Sequence, residues 1–116
     1  MAIILVVEDD TWLSLDISDT LERESYDVIA VANSDEAIKL LESRNDIRTI
    51  FTDIDLPGSM NGLKLAAAVR NRWPPIHIIL TTGMREPHRD ELPAHSRFIA
   101  KPYRSAEVLE AVRSFE

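Results

Sequence analysis

The sequence predicts an open α/β sheet with helices on both faces. Three observations carry this. Short apolar, β-branched runs alternate with amphipathic helical segments along most of the chain. The first run, Ile-Ile-Leu-Val-Val at 3–7, is continuous, as in strands covered on both sides. Helical segments stand between successive strands, so each can serve as a right-handed crossover between parallel neighbours.

The elements follow in order. After the first strand, residues 11–24 carry Leu13, Ile17 and Leu21 at helical spacing, with Asp10 or Thr11 available as N-cap. The second strand is 26–32. Ser34 can cap a helix whose inward face holds Ala37, Ile38 and Leu41. The third strand is 47–53. Residues 61–73 read as a helix with Leu65, Ala66 and Val69 inward, stopped by Pro74-Pro75. Strands at 76–83 and 97–100 come next, and Ser105 opens a last helix with Val108, Val112 and Phe115 on one side. Trp12 and Trp73 read as packing residues. His77, His88 and His95 lack ligand spacing and read as surface or incidental residues. Arg70 and Arg72 read as a solvated helix face.

The 116 residues suit one domain over 1–116 with a single core. A formal net charge of -7 argues against binding nucleic-acid backbones. With 0 cysteines, disulfides and thiolate metal sites are excluded. No apolar stretch is long enough to span a bilayer, and the N-terminus lacks the basic region of a secretion signal. A cytoplasmic protein with no membrane partner is expected.

Ligands of open α/β sheets bind at the carboxyl ends of the strands. Here those ends carry Glu8-Asp9-Asp10, Asp53 with Asp55 close behind, Thr81-Thr82-Gly83, and Lys101-Pro102. Asp10 reads as a helix cap. Glu8, Asp9 and Asp53 bring three negative charges and Lys101 one positive, an excess of two negatives. Crowded like charges force protonation unless a cation compensates them. An all-oxygen ligand set suits Mg2+. A free carboxylate, a cation, a lysine and a hydroxyl together suit phosphoryl transfer onto the carboxylate.

These motifs resemble those of the receiver domains of two-component response regulators. "ILVVEDD" is similar to the family's first strand and acidic pair, and "TDIDLPG…NG" to its phosphoacceptor loop. "ILTTG" and "FIAKPY" are similar to its switch-hydroxyl and Lys-Pro motifs. The resemblance covers essentially the whole chain. It implies a flavodoxin-like, five-stranded parallel sheet of order 2-1-3-4-5. By position it makes Asp53 the phosphoacceptor. It makes Asp9 the principal Mg2+ ligand, Glu8 a ligand through water, and Asp53 and the backbone carbonyl of Asp55 further ligands. It makes Thr82 the switch hydroxyl, because Gly83 supplies the small residue that follows; Thr81 is the rival. Phe98, three before Lys101, takes the place of the rotating aromatic. Lys101 pairs with the phosphoryl group, and Pro102 takes the cis-bond position.

The resemblance also implies partners and a mode of action. A histidine kinase or histidine phosphotransfer protein phosphorylates Asp53 in a phosphorelay. The change then switches the face of the fourth strand, fourth helix and fifth strand to control an unidentified protein. The chain would be a monomer or a weak, phosphorylation-dependent dimer. It would be a signalling phosphoacceptor that catalyses only its own phosphorylation and dephosphorylation. No output domain is expected within these residues. Two departures stand out. The loop "PGSMNG" is one residue longer than the commonest version. The segment 84–96, with Pro87 and Pro93 and no apolar stripe, predicts a short or irregular fourth helix. Two alternatives differ in class: a haloacid-dehalogenase-like phosphatase using Asp53 and Asp55, and a non-phosphorylated pseudo-receiver that only binds a partner.

Overall fold

The computed structural model describes residues 2–84 and 86–116. Its elements are β1 (Ile3–Val7), α1 (Thr11–Arg23), β2 (Asp27–Val31), α2 (Ser34–Ser43), β3 (Ile47–Asp53), α3 (Gly62–Arg72), β4 (His77–Thr82), β5 (Ser96–Ala100) and α4 (Ser105–Arg113). The strands form one parallel sheet of order β2-β1-β3-β4-β5. This is the expected order, and strand limits agree with the sequence reading to within one residue.

Side-chain alternation along the inner strands splits the core in two. Leu5, Val7, Ile50, Ile78 and Leu80 face Ala37 and Leu41 of α2 and Leu65, Ala66 and Val69 of α3. Ile4, Val6, Phe51, Ile79 and Ile99 face Ile17 and Leu21 of α1 and Val108, Ala111 and Val112 of α4. β1 is buried along its length, whereas the edge strand β2 is only half-buried. This explains why the first strand is a continuous apolar run.

Local polar chemistry fixes the helix starts. The Asp10 carboxylate accepts the N–H groups of Trp12 and Leu13, which opens α1. Asn33, not Ser34, caps α2, its side-chain oxygen accepting the Glu36 N–H at 2.9 Å. The Ser34 hydroxyl instead donates to the Met60 carbonyl at 2.8 Å and ties α2 to the loop after β3. Asn61 caps α3 through the Lys64 N–H.

Between β4 and β5 the described residues hold a single 3-10 turn, Arg89–Glu91. The segment is irregular, as expected; Arg85 within it lies outside the described residues. Pro87 is buried, and Leu92 packs against the α2/α3 side of the core. Arg70 is the fastening. Its guanidinium donates to the carbonyls of Ala94 at 2.9 Å, Pro74 at 2.6 Å and Ile76 at 3.1 Å. The sequence reading of Arg70 as a solvated charge is corrected here: three loop carbonyls need a donor, and α3 supplies one.

Other expectations need correction. Trp12 is 82% exposed and does not pack. Trp73 does pack, under the Arg72 guanidinium at 4.4 Å. Arg72 also pairs with Glu42 at 2.8 Å. His77 is half-buried and stacks on Phe115, ring centroids 4.4 Å apart.

Candidate functional site

β1, β3 and β5 carry Glu8, Asp53 and Lys101 to the same edge and the same face of the sheet, the α1/α4 side. The residues two before each, Val6, Phe51 and Ile99, belong to that face. The Lys101 ammonium lies between the two acids. Its Nζ donates to Glu8 Oε1 at 3.0 Å and to Asp53 Oδ2 at 3.1 Å. The acid side chains are only 3% and 5% exposed, so an uncompensated charge on either would be costly.

The remaining oxygens are also engaged. Glu8 Oε2 accepts the Asp10 N–H at 3.1 Å, and Asp53 Oδ1 accepts the Asp55 N–H at 3.1 Å. Burial is the main force raising the Glu8 pKa, and the Asp53 charge adds to it; the Asp10 N–H and Lys101 pull the other way. Burial also works against the Lys101 charge, yet its hydrogen bonds to Glu8 and Asp53 outweigh this and hold the ammonium above the usual lysine range.

Asp9 completes the cluster from an exposed position. One carboxylate oxygen each from Glu8, Asp9 and Asp53 lies within 4.8 Å of the others. Three carboxylates against one ammonium leave two negative charges. The donor set is all oxygen and partly open to solvent, so it fits a hard divalent cation such as Mg2+. A stability prediction follows for the cation-free protein. Asp53→Asn removes one of the crowded charges while keeping an acceptor for Lys101. It is expected to melt higher than wild type without divalent cation and to lose most of the stabilisation that Mg2+ gives wild type. A lower melting point would mean that Lys101 alone satisfies the acids.

Thr82 stands on the opposite, α2/α3 face, continuing the row of Ile78 and Leu80. Its hydroxyl donates to Asp55 Oδ2 and accepts the Met84 N–H at 3.1 Å. Thr81 is in register with Asp53 and shares its face, but its buried hydroxyl has no partner among the described residues. Phe98, in register with Leu80, is half-buried against the α2/α3 core. The Lys101–Pro102 bond is cis. The structure thus brings Glu8, Asp9, Asp53 and Lys101 together, and places Thr82 and Phe98 on the other side of the sheet.

Three features were not read from the sequence. Glu8 bonds Lys101 directly. The Asp55 side chain reaches Thr82. Gly62 is a steric necessity: a Cβ there would lie 2.0 Å from the Asp53 carbonyl oxygen and 2.7 Å from Ile54 Cα. Its N–H donates to the Ile54 carbonyl at 2.9 Å, so α3 begins hard against the end of β3. The "NG" of the loop motif was the visible signal. Beneath the site, Tyr103 meets Phe51 edge to face at 5.9 Å. Burial foremost, with the surrounding acids, pushes its phenol above the usual tyrosine range.

Comparison with known proteins identifies the family. The sequence model of the response regulator receiver domain matches residues 4–113, and the chain belongs to that family. It is 30% identical over 117 residues to the response regulator RppA of Synechocystis, covering 97% of this chain and 50% of RppA. It is 32% identical over 80 residues to the response regulator protein FleR of Pseudomonas aeruginosa, covering 69% of this chain and 16% of FleR. The chain therefore spans half or less of these relatives. Among solved structures, a response regulator receiver protein from Sinorhizobium medicae superposes with a TM-score of 0.92 at 28% identity, covering 98% of this chain and 93% of that one. Response regulator TrrA from Thermotoga maritima, solved in complex with Mg2+ and BeF, gives 0.87 at 27% identity over 100% of both chains. The chain is a receiver domain of the response-regulator kind, the class of two-component signalling. No helix among the described residues is long and apolar enough to cross a membrane.

Proposed function

We propose that this chain accepts a phosphoryl group on Asp53 from a histidine kinase or histidine phosphotransfer protein. The observation that carries the reading is Lys101 held between Asp53 and Glu8, with Asp9 alongside, at the carboxyl edge of the sheet. An Asp53 carboxylate oxygen attacks phosphorus, the P–N bond to the donor imidazole breaks, and its electron pair stays on that nitrogen, which takes a proton. Lys101 moves from a carboxylate partner to a phosphoryl partner and neutralises the transferring oxygens. Glu8, Asp9, Asp53 and the Asp55 backbone carbonyl would hold Mg2+, which supplies charge stabilisation to the phosphoryl oxygens. TrrA, bound to Mg2+ and BeF, supports that choice of ion. Thr82 then donates to a phosphoryl oxygen, and Phe98 and the 84–96 segment carry the change to a partner protein. The chain acts as a signalling phosphoacceptor over its full 1–116 span.

The phosphatase alternative needs Asp55 as a free general acid. Its carboxylate is instead bonded to Thr82, and the D-x-D motif ends the third strand after a complete βαβα unit.

Acetyl phosphate is expected to add one acid-stable, base-labile phosphoryl group only when Mg2+ or Mn2+ is present, as read by intact-protein mass spectrometry. Asp53→Asn should abolish it. Modification of a serine or histidine instead would overturn the assignment. A protein that neither binds Mg2+ nor takes phosphate would be a pseudo-receiver.

A further inference from the structure

Thr82 has one hydroxyl proton, and the structure shows where it is spent. It goes to the Asp55 carboxylate, while the oxygen accepts the Met84 N–H. In the proposed function the same proton must reach a phosphoryl oxygen on Asp53. One O–H cannot make two full hydrogen bonds at once, so the acceptors compete. The resting acceptor is a carboxylate, the stronger kind.

We infer that the Asp55 carboxylate is a latch that holds Thr82 in the resting state and sets the threshold for switching. The inference rests on the phosphoacceptor reading of Asp53. It assigns Asp55 a side-chain role distinct from that of its backbone carbonyl. Asp55 is well placed for this, because it touches both ends of the switch. Its N–H donates to Asp53 Oδ1 at 3.1 Å, and its carboxylate accepts from Thr82. The next link is also fixed: the Ile54 N–H donates to the Thr81 carbonyl at 2.8 Å, which fastens the loop to β4. Adding a phosphoryl group to an Asp53 oxygen disturbs the Asp55 N–H contact on one side and offers Thr82 a rival acceptor on the other. When the latch opens, Thr82 turns toward the site, and the Met84 N–H loses the oxygen it rests on. Met84 is thereby released from Thr82. Asp55 is exposed and on a loop, so its replacement leaves the core intact.

Removing Asp55 also removes a charge near the phosphoryl site, which would favour phosphorylation by itself. A double-mutant cycle separates the two effects. Wild type, Asp55→Ala, Thr82→Val and the double variant are titrated with beryllofluoride and Mg2+, following backbone NMR shifts. Amide exchange at Met84 is measured in the cation-free proteins. Asp55→Ala is expected to bind beryllofluoride about tenfold more tightly than wild type and to exchange Met84 faster. Both effects should vanish in the Thr82→Val background. An equal gain in both backgrounds makes the effect one of charge and overturns the latch. Unchanged Met84 exchange in Asp55→Ala overturns it as well. Wild-type protein that binds no beryllofluoride overturns the phosphoacceptor reading itself, and the latch falls with it.

Discussion

Gly62→Ala is expected to destabilise the protein by about 3 kcal/mol or more, although the change adds one methyl group on a surface helix. The added Cβ would meet the carbonyl oxygen of Asp53 at 2.0 Å and Ile54 Cα at 2.7 Å, and both are backbone, which leaves nothing flexible to yield. The helix start must move away from β3, breaking the hydrogen bond from Gly62 N–H to the Ile54 carbonyl. Because Ile54 stands between Asp53 and Asp55, the Mg2+ response should weaken along with stability. Urea unfolding checks this: the midpoint should fall with little change in slope. A loss below about 1 kcal/mol would mean that α3 docks loosely and that the tight approach is incidental.

Lys101→Ala is the second large effect expected, and it differs in kind. Removing the ammonium leaves Glu8 and Asp53 buried together with no counter-charge. Breaking a buried pair in this way costs roughly 3 kcal/mol. Asp53→Asn relieves charge at the same place and should do the opposite. Added Mg2+ should recover much of the loss in Lys101→Ala, since a cation replaces what the lysine supplied. The pH dependence has a definite sign. Burial foremost already raises the Glu8 carboxyl above its ordinary 4.5, and loss of Lys101 raises it further. A folded-state pKa above the unfolded value means that the folded protein holds the proton more tightly. That contribution to stability is complete below the unfolded value and is lost as the pH climbs through the folded one. The variant should therefore regain ground on wild type as the pH falls from about neutral toward 4.5. Melting curves across that range, with and without Mg2+, are the measurement. A constant gap between the two proteins would place the cost in lost packing of the lysine stem instead.

Much of this was legible in the sequence. The sheet could be read because its inner strands are apolar on both faces, and the site because four polar motifs stand at four strand ends. What escaped were contacts between side chains far apart in the chain. Asp55 carries no mark that its carboxylate reaches Thr82 rather than solvent. Arg70 looks like any helix-surface cation, and only the fold brings the carbonyls of Pro74, Ile76 and Ala94 beneath it. Trp12 misled through composition, since large aromatics are usually covered, yet this one stands at the exposed start of α1. Asn33 took the cap from Ser34 because two good capping residues were adjacent and Met60 offered the serine another acceptor.

The two faces of the sheet carry different halves of the proposed task. Glu8, Asp53 and Lys101 lie over the layer of α1 and α4, while Thr82 and Phe98 lie over that of α2 and α3. The two halves meet in the loop after β3, where Asp55 touches both Asp53 and Thr82 and Gly62 of α3 abuts the Asp53 carbonyl, so a change in either layer near that loop is felt in the other. The irregular connection between β4 and β5 is anchored away from that loop, where Arg70 near the end of α3 holds the Ala94 carbonyl.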